Sequence, residues 1–252
     1  MLRRFFIYLS FKGSNYHGWQ IQNNAVSVQS MVNNALSLIL QTKIEVVGAG
    51  RTDTGVHAKN YVAHFDIASD KFVFKPKDLI FKLNNFLPLD IAIHHIIEVK
   101  TELHARFSAT SRTYCYYISR NKSPFNNDFA YYVYGKLEIE KMNQAASLLL
   151  NNDDFKAFSK SGSDNISTLC KVSYAKWEEK EEMLVFTITA NRFLRNMVRA
   201  IVGTLIDVGK DKVSIAKFKL IIESKNRSDA GFSVPACGLF LEKIDYPNDI
   251  FI

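Results

Sequence analysis

At 252 residues, 47% of them hydrophobic, the chain has enough apolar material for one large domain or two closely packed ones, which excludes a disordered or low-complexity protein. Lys and Arg outnumber Asp and Glu 32 to 25, and the resulting net charge of +7 favours nucleic acid or phosphorylated substrates as partners. Cys115, Cys170 and Cys237 are far apart and form no C-x-x-C pair, which argues against a disulfide framework or a zinc site and fits a reducing compartment.

Residues 3–11, rich in aromatic and branched side chains, read as a strand. Arg3-Arg4 and the apolar run after them imitate a signal peptide, but Lys12 interrupts the run and no small-residue cleavage site follows. No apolar stretch approaches the ~20 residues that span a bilayer. No membrane partner is expected, and the chain reads as cytoplasmic. Val28, Met31, Val32, Ala35, Leu38 and Ile39 share one side of a helix over 28–40, with Ser27 placed to cap it. A short strand at 44–47 enters a glycine-rich turn. In the next strand Tyr61, Ala63 and Phe65 alternate with Asn60, His64 and Asp66. Pro76 opens a helix striped by Leu79, Ile80, Leu83 and Phe86, and Pro88 ends it. Ile91, Ile93, Ile96 and Ile97 form another strand.

The order then recurs loosely: a strand at 111–119, a helix at 138–150, strands at 169–178 and 183–190, helices at 193–208 and 214–223, and a last strand at 238–245. Strand–helix–strand–strand–helix–strand in each half predicts an α+β fold of two ferredoxin-like halves, with mostly antiparallel sheets forming a central cleft. Residues 1–105 form the half with the glycine-rich turn. Residues 106–252 form the half with an aromatic strand and an arginine-bearing helix.

Gly48-Ala49-Gly50-Arg51-Thr52-Asp53-Thr54-Gly55-Val56-His57 displays one carboxylate in a turn whose glycines let a large ligand approach. A carboxylate held beside cationic groups can act as nucleophile or base. Other readings compete for it. A dinucleotide fingerprint needs a third glycine where Asp53 stands, and an acid there would repel a pyrophosphate. Asp53-Thr54-Gly55 is also the tripeptide of aspartic proteases, but with one copy a protease would have to pair two chains. An ordinary Asx turn needs no chemistry at all.

On a helical wheel Arg192, Arg195, Asn196 and Arg199 fall in one arc of the 193–208 helix, and Gly203 joins them. The other positions are apolar, so the helix is largely buried and its arginines must face a cleft or an anion. The alternative is a solvated basic face. Gly203 leaves room for something to come close. Arg106-Phe107 and the strand residues Arg112, Tyr114 and Tyr116 interleave basic and aromatic groups, which suits base stacking and phosphate contact, although most strand tyrosines are packing residues. His57 and His104 lack metal-ligand spacing and read as structural, and no metal site is expected.

In order along the chain stand Tyr16-His17-Gly18-Trp19-Gln20-Ile21-Gln22, Ala49 to His57, Asn85-Phe86-Leu87-Pro88, His104-Ala105-Arg106-Phe107-Ser108-Ala109 and Arg112-Thr113-Tyr114-Cys115-Tyr116. Asp154-Phe155, Ala190 to Arg199 and Cys237-Gly238-Leu239 follow. With these eight segments the chain resembles the TruA-type pseudouridine synthases over nearly its full length. The resemblance implies a tRNA-modifying isomerase that converts uridine to pseudouridine at positions 38, 39 and 40 of the anticodon stem-loop. It implies that Asp53 is the catalytic aspartate, Arg199 the arginine that pairs with it, and Tyr114 the tyrosine at the target base. Arg51 would occupy the space vacated by the flipped uridine, and Leu239 would line the uracil pocket. Ala200 stands where the family often has Asn, which puts one secondary contact in doubt. The isomerisation exchanges no electrons, so no cofactor is expected. A homodimer in which one tRNA touches both subunits is the implied assembly. An RNA-binding or tRNA-folding protein without chemistry, and a dimeric aspartic protease, are the rival classes.

Overall fold

The computed structural model describes residues 2–68, 74–160, 162 and 167–247. In chain order the elements are β1 (Leu2–Phe11), α1 (Val28–Leu40), β2 (Val47–Gly48), β3 (His57–Ala68), α2 (Pro76–Phe86) and β4 (Ile91–Val99). They continue with β5 (Ser111–Ser119), β6 (Tyr131–Tyr132), α3 (Ile139–Ser147), β7 (Val172–Lys180), β8 (Met183–Ala190), α4 (Met197–Gly209), α5 (Ile215–Ser224) and β9 (Leu239–Asp245). The fold is α+β, as expected. Its contacts form two units, residues 1–110 with 241–252, and residues 111–240. No helix among the described residues is long and apolar enough to cross a membrane.

In the first unit β1 runs antiparallel to β4 on one side and to β3 on the other, with β2 paired to β3. Phe5 lies opposite Phe65 in the ladder, and their rings stack 5.5 Å apart. Burial reaches both faces of β3, so His64, which alternation groups with the polar residues, is only 3% exposed. α1 starts where Ser27 accepts from the Ser30 N–H and Ser30 returns a bond to the Ser27 N–H, both at 3.2 Å. The strand expected at 44–47 shrinks to a two-residue ladder at Val47–Gly48. Side chains of α1 take the backbone groups before it: Ser37 Oγ accepts from the Ile44 N–H at 2.9 Å and Asn33 Oδ1 from the Val46 N–H at 2.8 Å.

β9 enters this unit from Leu241 onward. The Glu242 carbonyl accepts from Asn60 Nδ2 at 2.9 Å, and the Thr110 N–H donates to the Asp245 carbonyl at 2.8 Å. These bonds hold residues 106–110 and the last strand with the first unit, where the sequence division at 105/106 had put them with the second half.

In the second unit β8 lies between β5 and β7, antiparallel to both, and β6 adds a short parallel pairing to β5. Trp177 and Phe186, both buried, meet across the β7–β8 ladder at 4.9 Å. Eleven of the 13 residues of α4 are buried, as its apolar circumference predicts. The helix begins at Met197, four residues later than the sequence pattern indicates. Asn196 stands at φ +68° in the left-handed region, which asparagine tolerates better than most residues and which a right-handed helix cannot include. Arg192 and Arg195 therefore lie in the approach segment, and Arg199 alone among these arginines is helical. Gly203 does admit a close neighbour, but that neighbour is the chain itself: a Cβ there would sit 1.9 Å from the Phe232 carbonyl oxygen.

Candidate active site

Asp53 lies in the first unit and heads a tight turn. Its carbonyl accepts from the Val56 N–H at 3.2 Å, and Gly55 between them takes φ +78°, as the third position of a type II turn requires. Gly18, at φ +83°, presses on the other side of the turn, where a Cβ would stand 2.2 Å from the Thr52 carbonyl oxygen. The Gly13 N–H donates to His57 Nδ1 at 3.0 Å, which makes the buried His57 structural, as expected. The segment through Tyr16 and Gln20, whose makeup composition did not explain, is thus the wall against which the carboxylate turn is built.

The glycines before Asp53 are held by two aromatic rings. The Tyr61 hydroxyl donates to the Gly50 carbonyl, and the Tyr61 ring stacks on Trp19 at 4.1 Å. A Cβ on Gly48 would collide with both, 2.1 Å from the Tyr61 hydroxyl and 2.3 Å from Trp19 Nε1. Sequence reasoning did not single out Tyr61. Its only signal was its place on an alternating strand, which does not distinguish a buttress from a core residue.

Arg51 is exposed and makes no hydrogen bond or ion pair among the described residues. It borders a pocket of about 240 Å³ lined also by Trp19, Gln20, His104, Arg106 and Phe107. The 104–107 wall of this pocket is pinned at Ala105, whose N–H donates to His64 Nδ1 at 3.2 Å and whose carbonyl accepts from the Tyr246 hydroxyl at 2.6 Å. His104 Nδ1 accepts from the Arg106 N–H at 3.0 Å, and its ring lies 4.4 Å from Phe107 and 4.6 Å from His64. Both histidines use Nδ1 as an acceptor and are therefore neutral, with the proton on Nε2. Burial, with the Arg4 cation second, holds His64 down to about 4. Burial, then Arg4 and Arg106, lower His104. Arg4 itself is clamped by Asp66 at 2.7 Å, which holds that carboxyl below its usual range.

A pH dependence of stability follows. Because native His64 titrates below its unfolded value of 6.5, the unfolded chain binds more protons between pH 6.5 and 4, and stability falls as pH falls through that window. Asp66, also depressed, adds a loss of the same sign at lower pH. Urea unfolding should show stability flat above pH 7 and lower by about 2–3 kcal/mol near pH 4. His64→Gln should flatten the profile, and an equally steep profile in that variant would refute the assignment.

In the second unit Tyr114 is half-buried on β5, with its ring edge-on to Phe193 at 5.1 Å. Tyr116, grouped with it in the sequence, is fully buried, and its hydroxyl donates to the Pro235 carbonyl at 2.8 Å. It is a core residue with no surface for a base. Arg199 Nε donates to the Val234 carbonyl at 2.7 Å, which ties the guanidinium to the segment crossing Gly203. Leu239, 6% exposed, begins β9. Asp53 and Arg51 thus share one loop of the first unit, while Tyr114, Arg199 and Leu239 belong to the second. Among the described residues no group of three or more His, Cys, Asp and Glu is placed to hold a metal ion.

Comparison with known proteins gives a consistent result. The profile of a family described as tRNA pseudouridine synthase matches residues 145–247. A protein of Bacteroides thetaiotaomicron named tRNA pseudouridine synthase A is 49% identical, over 99% of this chain and 93% of its own length. Its namesake from Porphyromonas gingivalis is 49% identical over the whole of both chains. One from Thermoanaerobacter sp. is 39% identical over 97% of this chain and 100% of its own.

Proposed function

We propose that this chain, which belongs to the tRNA pseudouridine synthase family, isomerises uridine to pseudouridine at positions 38, 39 and 40 of the tRNA anticodon stem-loop, with Asp53 as its catalytic carboxylate. The reaction class follows from family membership: the chain is an isomerase acting on uridine in tRNA. The observation that carries the site assignment is the Asp53 turn, a carboxylate on a backbone locked by Gly18, Gly55 and the Tyr61 hydroxyl. Such fixing supports catalysis because a reacting group held in position spends no entropy at the moment of reaction.

In the reaction the bond between uracil N1 and C1′ breaks, the base turns, and C5 bonds to C1′ while its proton leaves to solvent and N1 takes one up. The Asp53 carboxylate suits either opening step, attack on C1′ or removal of the C2′ proton. Arg199 acts as its charge partner and Tyr114 as the ring against the target base. Arg51, exposed and unpaired among the described residues, enters the space the uridine leaves, and Leu239 lines the uracil site. Taking a base out of a stacked stem costs a few kcal/mol, which stacking on Tyr114 and insertion of Arg51 offset in part. The working assembly is a cytoplasmic homodimer in which one tRNA touches both subunits.

Pseudouridine mapping of unmodified tRNA after incubation with the protein tests this reading. Modification at positions 38 to 40 supports it, modification confined to other positions removes the positional part, and unchanged tRNA removes the whole. Arg199→Lys keeps the charge but loses the Nε bond to Val234 and the planar two-pronged donor. It is expected to lower the single-turnover rate at saturating enzyme with little change in tRNA affinity. Arg195→Lys, in the approach segment, should affect that rate far less. Equal defects would mean that the two arginines act as one basic surface.

A further inference from the structure

Apart from Arg51 at its rim, the residues lining the pocket have no part in the chemistry just described, yet they have the character of a nucleotide site. Phe107 is 74% exposed, with the His104 ring 4.4 Å away and the Arg106 guanidinium over its ring at 5.4 Å. Ala105 fixes the backbone of that turn through His64 and Tyr246, so the segment that presents the ring is set before any ligand arrives. Gln20 is exposed, and its amide makes no hydrogen bond among the described residues. At about 240 Å³ the pocket falls below the range of ~300–1,000 Å³ usual for whole cofactors and drug-sized ligands, and suits a single base. Unstacked RNA bases are recognised in this way, on aromatic and guanidinium planes with amides at their edges.

We propose that this pocket receives the nucleotide adjacent to the isomerised uridine, with its base laid on Phe107, its edge read by Gln20, and its phosphate met by Arg106. This rests on the tRNA reading above. Arg51 is two residues from Asp53, ~7 Å of chain at most, comparable to the step between consecutive nucleotides of an unstacked strand. Arg51, at the rim of the pocket, thus sets the pocket and the carboxylate turn on one short stretch of chain. His104, neutral and bonded to the Arg106 N–H, is the positioning residue of the platform.

The test uses anticodon stem-loop hairpins that are intact or carry an abasic nucleotide on either side of the target uridine, with affinity read by filter binding. Phe107→Ala, at an exposed position, should weaken binding of the intact hairpin about tenfold. The wild-type protein should lose about the same on one of the two abasic hairpins, and on that hairpin Phe107→Ala should cause no further loss. Phe107→Trp should restore affinity for the intact hairpin. Equal weakening of intact and abasic RNA by Phe107→Ala, or no weakening, overturns the proposal. Pseudouridine formation by the wild-type protein on the intact hairpin separates the two readings. If pseudouridine forms without base-dependent coupling to Phe107, the pocket assignment alone falls. If none forms, the tRNA reading falls and takes the pocket assignment with it.

Discussion

Asp53→Asn is expected to abolish pseudouridine formation, lowering the single-turnover rate by roughly 10⁴-fold or more, as removal of a central catalytic group does elsewhere. The substitution changes charge and basicity while keeping nearly the same shape. The substitution leaves the turn's closing bond, from the Asp53 carbonyl to the Val56 N–H, and its left-handed residue, Gly55, unchanged. The variant should therefore fold, and it should bind tRNA within a few-fold of wild type. Tritium release from tRNA labelled at C5 of uridine reports the chemistry directly. Substantial release by the variant would remove Asp53 from the mechanism, whatever the binding data show.

Gly18→Ala should also lower turnover, by a smaller factor, although position 18 lies 35 residues from Asp53 in the sequence. The new methyl group would meet the Thr52 carbonyl oxygen at 2.2 Å and would have to adopt φ +83°. The left-handed conformation alone costs ~1–2 kcal/mol, and the collision can be relieved only by moving backbone on one side or the other. Either movement displaces the residue before Asp53. A misplacement of about 1 Å can cost 10²-fold in rate, so turnover should fall by about that factor, and the melting temperature should drop by several degrees. Gly50→Ala is the comparison for stability, since a Cβ there has nothing within 4 Å. Its melting temperature should stay within about 2 °C of wild type. Equal melting temperatures for the two variants would show that the contact with Thr52 is easily relieved.

The parts legible in the sequence were those specified over a few residues. The limits of α1 followed from its apolar period and from Ser27, because a cap acts on backbone groups three residues away. The carboxylate turn was legible because its glycines and Asp53 stand within a single decapeptide. The strand at 44–47 was misread because hydrophobic alternation cannot show that Asn33 and Ser37 already hold its backbone. The start of α4 was misread because a helical wheel assumes a helix and cannot register the left-handed Asn196. The pocket wall was beyond reach for another reason: Ala105 depends on Tyr246, 141 positions away, and nothing in either residue type announces that bond.

That distant tie also orders events on the ribosome. Everything in the first unit except its last strand is made by residue 110, but the strand that bonds to Asn60, and the Tyr246 that pins Ala105, come only after residues 111–240 have been added. At ~5–20 residues per second that interval is on the order of ten seconds. Through it the nascent sheet carries an unpartnered edge along the start of β3, the kind of edge that recruits other chains. The side chains displayed there, Lys59 and Asn60, are charged or polar, and both are later taken up by Glu242. The residues that secure the finished strand are thus the polar ones that the open edge displays before that strand is made.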